Sequence, residues 1–97
     1  TRCGGVTGFL QAAALCEAFD TDLSAHCAPA LHRHLGCAAP RFRHVEWFHD
    51  HVRIERMLFD GAPVPRNGEI APDPARPGLG LSFKRQDAEQ YAVSNHG

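Results

Sequence analysis

Leu23-Ser24-Ala25-His26-Cys27-Ala28-Pro29 is the stretch that decides the fold. A short apolar-leaning run ends in a histidine, and a proline follows. Residues 30–38 come next, a segment that can be helical and that stops ahead of Pro40. The pattern predicts a strand that delivers one side chain to its carboxyl end and then turns into a helix. In closed barrels of alternating strands and helices, catalytic groups sit at that end of the strand. Histidine exchanges a proton near neutral pH without a large pKa shift. Along this strand, over 23–25, Ser24 and His26 share one face.

Upstream, residues 9–19 predict a helix. Phe9, Ala12, Ala13, Cys16 and Phe19 recur at three- and four-residue spacing, and Gln11 and Glu17 are the helix's polar side chains. So few polar positions predict burial around most of its circumference. Cys3-Gly4-Gly5-Val6-Thr7-Gly8 reads as a tight turn, and Thr1-Arg2-Cys3 as the end of an earlier strand. Downstream, residues 41–48 read as a strand. Alternation puts Phe42, His44, Glu46 and Phe48 on one face, with Arg43, Val45 and Trp47 on the other.

Strand, helix, strand, helix, strand is an α/β order, with parallel strands joined by crossover helices. Two crossovers cannot close a barrel, and a parallel sheet needs both faces covered. Neighbouring strands must therefore come from elsewhere. After Asp50 the character changes. Residues 53–60 read as an extended segment. Residues 61–80, with Pro63, Pro65, Pro72, Pro74 and Pro77, read as a surface connection with tight turns. A short strand is expected within 79–83, a terminal helical turn or two over 86–93, and fraying of the last four residues.

Ninety-seven residues suffice for one small domain. A hydrophobic fraction of 43% and a charged fraction of 22% suit a globular chain in water. A net charge of −1 gives no strong pull toward nucleic acid or an anionic membrane. No apolar run approaches the ~20 residues of a membrane span, and no signal-peptide pattern is present. Beginning at Thr1 rather than Met, the sequence reads as a piece of something longer. Cys3, Cys16, Cys27 and Cys37 form no CxxC pair and read as small buried hydrophobes in a reducing cytosol.

Three constellations bear on function. The glycine run 3–8 falls short of a dinucleotide fingerprint: cysteine replaces the first glycine, and Asp20 and Asp22 lie at the wrong end of the next strand. His26, Cys27, His32, His34 and Cys37 are possible zinc ligands, and a zinc-stabilised, non-enzymatic module is the alternative reading of the chain. Their spacing fits no common finger, and His32 and His34 diverge by roughly 200° on a helix. His26 and Glu46 form the third constellation. Both are predicted at the carboxyl ends of successive parallel strands, where a closed barrel would bring them to one mouth.

These residues resemble a known family. Arg2-Cys3-Gly4-Gly5-Val6-Thr7-Gly8-Phe9 resembles the sixth strand and following turn of the mandelate racemase branch of the enolase superfamily. Ser24-Ala25-His26 resembles its seventh strand, which ends in the catalytic histidine. Val45-Glu46-Trp47 resembles its eighth, which carries a glutamate, and the spacing of the two matches without a gap. Pro77-Gly78-Leu79-Gly80 resembles a turn common near these enzymes' C-termini.

The resemblance implies the C-terminal part of a (β/α)7β TIM-like barrel, followed by a segment returning to an α+β capping domain. Residues 1–48 would supply the end of the barrel, and residues 49–97 the return. The implied function is removal of the proton α to a carboxylate, in an acid-sugar dehydratase or racemase. His26 would be the general acid or base. Glu46 would hydrogen-bond the substrate carboxylate, kept neutral by an apolar site to which Phe42 and Phe48 contribute. The cofactor implied is Mg2+, which stabilises the enediolate in this family. Its ligands, the lysine motif of the second strand and the aspartate that orients the histidine all fall outside this chain. No metal ligand is expected among residues 1–97, which alone should be inactive and bind no magnesium specifically. The partners implied are an acid-sugar carboxylate, the rest of the same enzyme and further copies in a cytoplasmic homo-oligomer.

Overall fold

A computed structural model describes residues 1–94. Helix α1 spans Gly5–Ala18 and so begins before the apolar periodicity does. The Gly5 N–H bonds the Thr1 carbonyl, and the Gly8 N–H bonds the Gly4 carbonyl. Helical bonding thus starts inside the glycine run. This overturns the strand expected over residues 1–3, which form a turn because the Thr1 carbonyl is used locally rather than in a ladder. Gly8 is required by close approach: a Cβ there would strike the Cys3 carbonyl, 2.7 Å from its carbon. Asp20, in a left-handed conformation, follows the helix.

Strands β1 (Leu23–Ala25) and β2 (Phe42–Val45) pair in parallel, with helix α2 (Pro29–Gly36) crossing between them. Pro29 at the start of α2 needs no N–H partner, and its ring fixes a helical φ. Leu23 faces Phe42 and Ala25 faces Val45, so two steps along β1 match three along β2. The extra residue is a bulge. It turns both Phe42 and Val45 toward the core and breaks the alternation expected for 41–48.

Phe9 and Ala13 of α1, Ala25 of β1, Leu35 of α2 and Ala39 form the core, flanked by Leu23, Leu31, Phe42 and Val45. The Phe9 ring lies 5.7 Å from the His32 ring and 6.3 Å from that of Phe42. Gly36 lets α2 lie on this aromatic group, since a Cβ there would fall 2.5–3.0 Å from three atoms of the Phe42 ring. The expected burial around most of α1 is not found. Val6, Leu10, Leu15 and Phe19 are exposed, because one face of the helix has partners among the described residues.

Residues 53–60, expected to be extended, lie mostly in helix α3 (His49–Leu58). Asp50 in its first turn and Arg56 in its last both favour the helix dipole. Val52 is its buried residue. One turn further on, Glu55 Oε1 accepts from the Ala30 N–H at 3.4 Å, satisfying a donor left open at the start of α2. A carboxylate on the packed face hides the apolar period from the sequence.

Burial raises the Glu55 pKa, against the Ala30 bond and the charges of His51 and Arg33, which lower it. Above the ordinary value of 4.5, the folded state holds this proton more tightly than the unfolded chain does. Its contribution to stability is therefore full below that value and is lost as pH rises through the folded pKa. Glu55→Gln should flatten the decline in urea midpoint as pH rises above the ordinary carboxylate value of 4.5. An equal decline in both proteins would exclude Glu55 as its source.

Strand β3 (Phe59–Asp60) pairs antiparallel with β4 (Ser82–Phe83), and the short helix α4 (Arg85–Glu89) follows. These two are the strand expected within 79–83 and the helical turn expected over 86–93. Of the last four residues, expected to fray, 95–97 lie outside the described residues. Between β3 and β4 runs the proline-rich connection, irregular as expected. It turns back at Asn67-Gly68, both at positive φ, with Arg66 and Glu69 bridged across the turn. Helix α2 grips both its ends. Buried Arg33 donates from Nη2 to the carbonyls of Gly61 (2.9 Å) and Leu79 (3.3 Å), and His34 Nε2 donates to Leu79 (2.9 Å).

Candidate active site

Leu23 and Ala25 face the core, so Ser24 and His26 project from the opposite face of β1. After the bulge, β2 presents His44 and Glu46 on that same side. Ser24 Oγ lies 3.2 Å from His44 Nε2. The Glu46 N–H donates to the Ala25 carbonyl at 2.9 Å, which carries the ladder past the end of β2. Glu46 is thereby set beside His26, with Oε2 3.5 Å from Nε2. Their side chains are 48% and 75% exposed, so both can be reached by a dissolved molecule.

The turn behind His26 is unusual. Cys27 (φ 54°) and Ala28 (φ 45°) are consecutive non-glycine residues in the left-handed region. Such residues cost on the order of 1–3 kcal/mol each and persist where the surroundings over-determine them. Here His32, 1% exposed, donates from Nδ1 to the Cys27 carbonyl at 2.7 Å, which fixes its tautomer. The Ala28 carbonyl accepts from the N–H groups of Leu31 and His32.

Regular alternation would send Cys27 to the far side of the sheet from His26. Instead the turn brings Cys27 Sγ to 3.4 Å from Glu46 Oε2 and 3.5 Å from His26 Nε2. Burial, and then the neighbouring Glu46 carboxylate, push the Cys27 thiol above its ordinary range. It is therefore a hydrogen-bond donor to Glu46 rather than a free nucleophile.

The two residues singled out at the strand ends thus meet, with Cys27 as a third that pairing by strand position could not find. The other possible zinc ligands do not join them. His32 holds the turn, His34 holds Leu79, and Cys37 Sγ donates to the Arg33 carbonyl at 3.2 Å. Among the described residues the apolar shield expected around Glu46 is not formed: the bulge turns Phe42 into the core, and the Phe48 ring packs on His51, 5.3 Å between centroids. All four cysteines are unpaired, and Cys27 alone of them is buried. A groove of about 570 Å³ lies elsewhere, lined by Cys37, Arg43, Trp47 and Ile70 among others, and contains neither His26 nor Glu46.

At the other end of the strands, Asp22 binds Arg41 at 2.7 Å and Arg43 at 3.0 Å. The Arg43 bond leads in holding its carboxyl below the usual range. This exposed cluster ties β1 to β2 at the end remote from His26.

A family model described as Enolase C-terminal domain-like matches residues 1–88. A mandelate racemase/muconate lactonizing enzyme-like protein from Rubrobacter xylanophilus is 50% identical, with a TM-score of 0.89 over 94% of this chain and 25% of that one. A member of the enolase superfamily from Agrobacterium tumefaciens, 23% identical, shares the fold with a TM-score of 0.73 over 88% of this chain and 23% of its own. A D-gluconate dehydratase from Thermoproteus tenax is 31% identical over 93 residues, which is 91% of this chain and 19% of that protein. The chain spans a quarter or less of the length of these relatives.

Proposed function

The chain belongs to the enolase C-terminal domain-like family, and from that premise we propose that it is the C-terminal part of an acid-sugar dehydratase or racemase. The reaction begins with removal of the proton α to a carboxylate. The observation that carries this reading is the meeting of an accessible imidazole and a carboxyl, 3.5 Å apart, at the carboxyl ends of adjacent parallel strands.

In this reading, residues 1–48 close a (β/α)7β barrel and residues 49–97 return to an α+β capping domain. A two-stranded parallel sheet with open edges supports it, as do the uncovered apolar residues of α1. The dimensions agree: the radius of gyration is 15.3 Å, against about 12–13 Å for a self-contained domain of this length. The rest of the same enzyme would cover those surfaces. No helix among the described residues is long and apolar enough to cross a membrane. The enzyme would work as a cytoplasmic homo-oligomer on small carboxylates.

His26 takes the proton from the substrate α-carbon on one face, or delivers one to a departing hydroxyl. Glu46, sharing a proton with the substrate carboxylate, hydrogen-bonds the oxygen where charge develops. Cys27 and the His32-held turn fix the position from which both act.

The family's chemistry implies Mg2+, which supplies charge stabilisation at the substrate carboxylate. The donors gathered here are one nitrogen, one sulfur and one carboxylate oxygen. They do not fit a cation that demands oxygen ligands in near-octahedral geometry, so its ligands would come from outside residues 1–97.

The test is exchange in D2O. The full-length protein, given acid sugars, should place deuterium at the α-carbon, and Glu46→Gln should lower kcat/KM by about 10²-fold. Absence of exchange from every acid sugar offered would end this reading.

A further inference from the structure

The donors that do not suit magnesium suit another ion. His26 Nε2, Cys27 Sγ and Glu46 Oε2 form a triangle with edges of 3.5, 3.5 and 3.4 Å, for nitrogen–oxygen, nitrogen–sulfur and sulfur–oxygen respectively. A zinc ion with ordinary bond lengths and tetrahedral angles sets those edges at about 3.3, about 3.6 and about 3.5 Å. The three atoms already match one face of the coordination polyhedron to within a few tenths of an ångström. We propose that His26, Cys27 and Glu46 are a three-ligand site for Zn2+ or a similar borderline-soft divalent cation, open on its fourth side.

Three further observations point the same way. The strained turn at Cys27 and Ala28 is what brings the sulfur to the His26 side at all, and the buried His32 holds it there. The exposure of His26 and Glu46 leaves the outer side of the triangle free for entry of the ion and for a fourth ligand, water or a substrate carboxylate. The charges also balance. On binding, the Cys27 thiol releases its proton to solvent, and thiolate plus carboxylate neutralise the dication. Sulfur and imidazole ligands select zinc-like ions over magnesium.

Bound zinc would occupy the Nε2 lone pair and remove His26 from proton transfer. Binding rests on the geometry alone; this inhibitory consequence rests also on the role proposed for His26.

Cobalt(II) reports the difference, because a thiolate ligand gives a near-ultraviolet charge-transfer band and an all-oxygen site gives none. The metal-free full-length protein titrated with Co2+ should develop that band. Zn2+ should bleach it, and excess Mg2+ should not. Cys27→Ser should lose the band while Cys16→Ser keeps it. His26→Asn, at an exposed position that does not hold the fold, should weaken Zn2+ binding at least tenfold, read by competition with a chromophoric chelator. A wild-type protein without the band, a band that survives Cys27→Ser, or one bleached by Mg2+ would overturn the site. Zinc that binds with these signatures yet leaves turnover unchanged would uphold the site and refute the role given to His26.

Discussion

His26→Asn should abolish turnover and exchange of the substrate α-proton in the full-length protein while leaving the fold intact. The His26 side chain is 75% exposed and sits on the face away from the core, so its loss removes little packing. Asparagine reaches only to the place of Nδ1, so the 3.5 Å contact of Nε2 with Glu46 is given up, but that contact is exposed and the fold does not depend on it. What disappears is a group able to carry a proton. Positioned acid–base groups contribute roughly 10²–10⁴-fold to rate, and kcat should fall by at least that much. Deuterium exchange separates this from a binding defect, since a protein that merely bound poorly would recover exchange at high substrate concentration. Exchange at the wild-type rate with a wild-type melting temperature would show that the proton moves through another group.

Phe9→Ala should be the most damaging single change to stability, at about 3–5 kcal/mol. Phe9 is 4% exposed and joins three elements, lying in α1 against His32 of α2 and Phe42 of β2. Around it the core is mostly alanine, with Ala13, Ala25 and Ala39 close by. Alanines cannot move in to fill the space that a phenyl ring leaves. Because His32 would also lose the ring it packs on, its hold on the Cys27 carbonyl should loosen and kcat should fall with stability. Phe9→Leu should cost less, under about 1.5 kcal/mol. Thermal and urea unfolding of the two variants decide the matter, and a loss below about 1 kcal/mol for Phe9→Ala would mean the core is organised elsewhere.

Much of this was legible from residues. The strand over 23–25 is legible at its true limits because it is short, alternates cleanly and is bounded by Asp20-Thr21-Asp22 and Pro29. The juxtaposition of His26 and Glu46 followed from parallel strands and counting. Counting fails at the start of β2, at Phe42. The bulge between Phe42 and Val45 is a property of two strands meeting, and neither sequence alone announces it. It sent Phe42 to the core and removed the shield expected around Glu46.

Helix α3 is hidden in the sequence because its packed face carries Glu55, whose partner is a backbone N–H of another helix. The strand expected over residues 1–3 does not form because helical bonding reaches back to Thr1. From sequence, Cys27 stands out only as a zinc-ligand type. Its place between His26 and Glu46 depends on two left-handed residues that are not glycine, a conformation that residue type argues against.

The double grip of α2 on the proline-rich connection has a consequence for how such proteins can diversify. Arg33 and His34 pin the segment at Gly61 and at Leu79, while its reversal at Asn67-Gly68 faces solvent. Residues inserted at that tip add chain between two fixed anchors, and each doubling of a flexible loop costs only about 0.6 kcal/mol. Lineages could therefore lengthen or decorate this segment while both anchors hold.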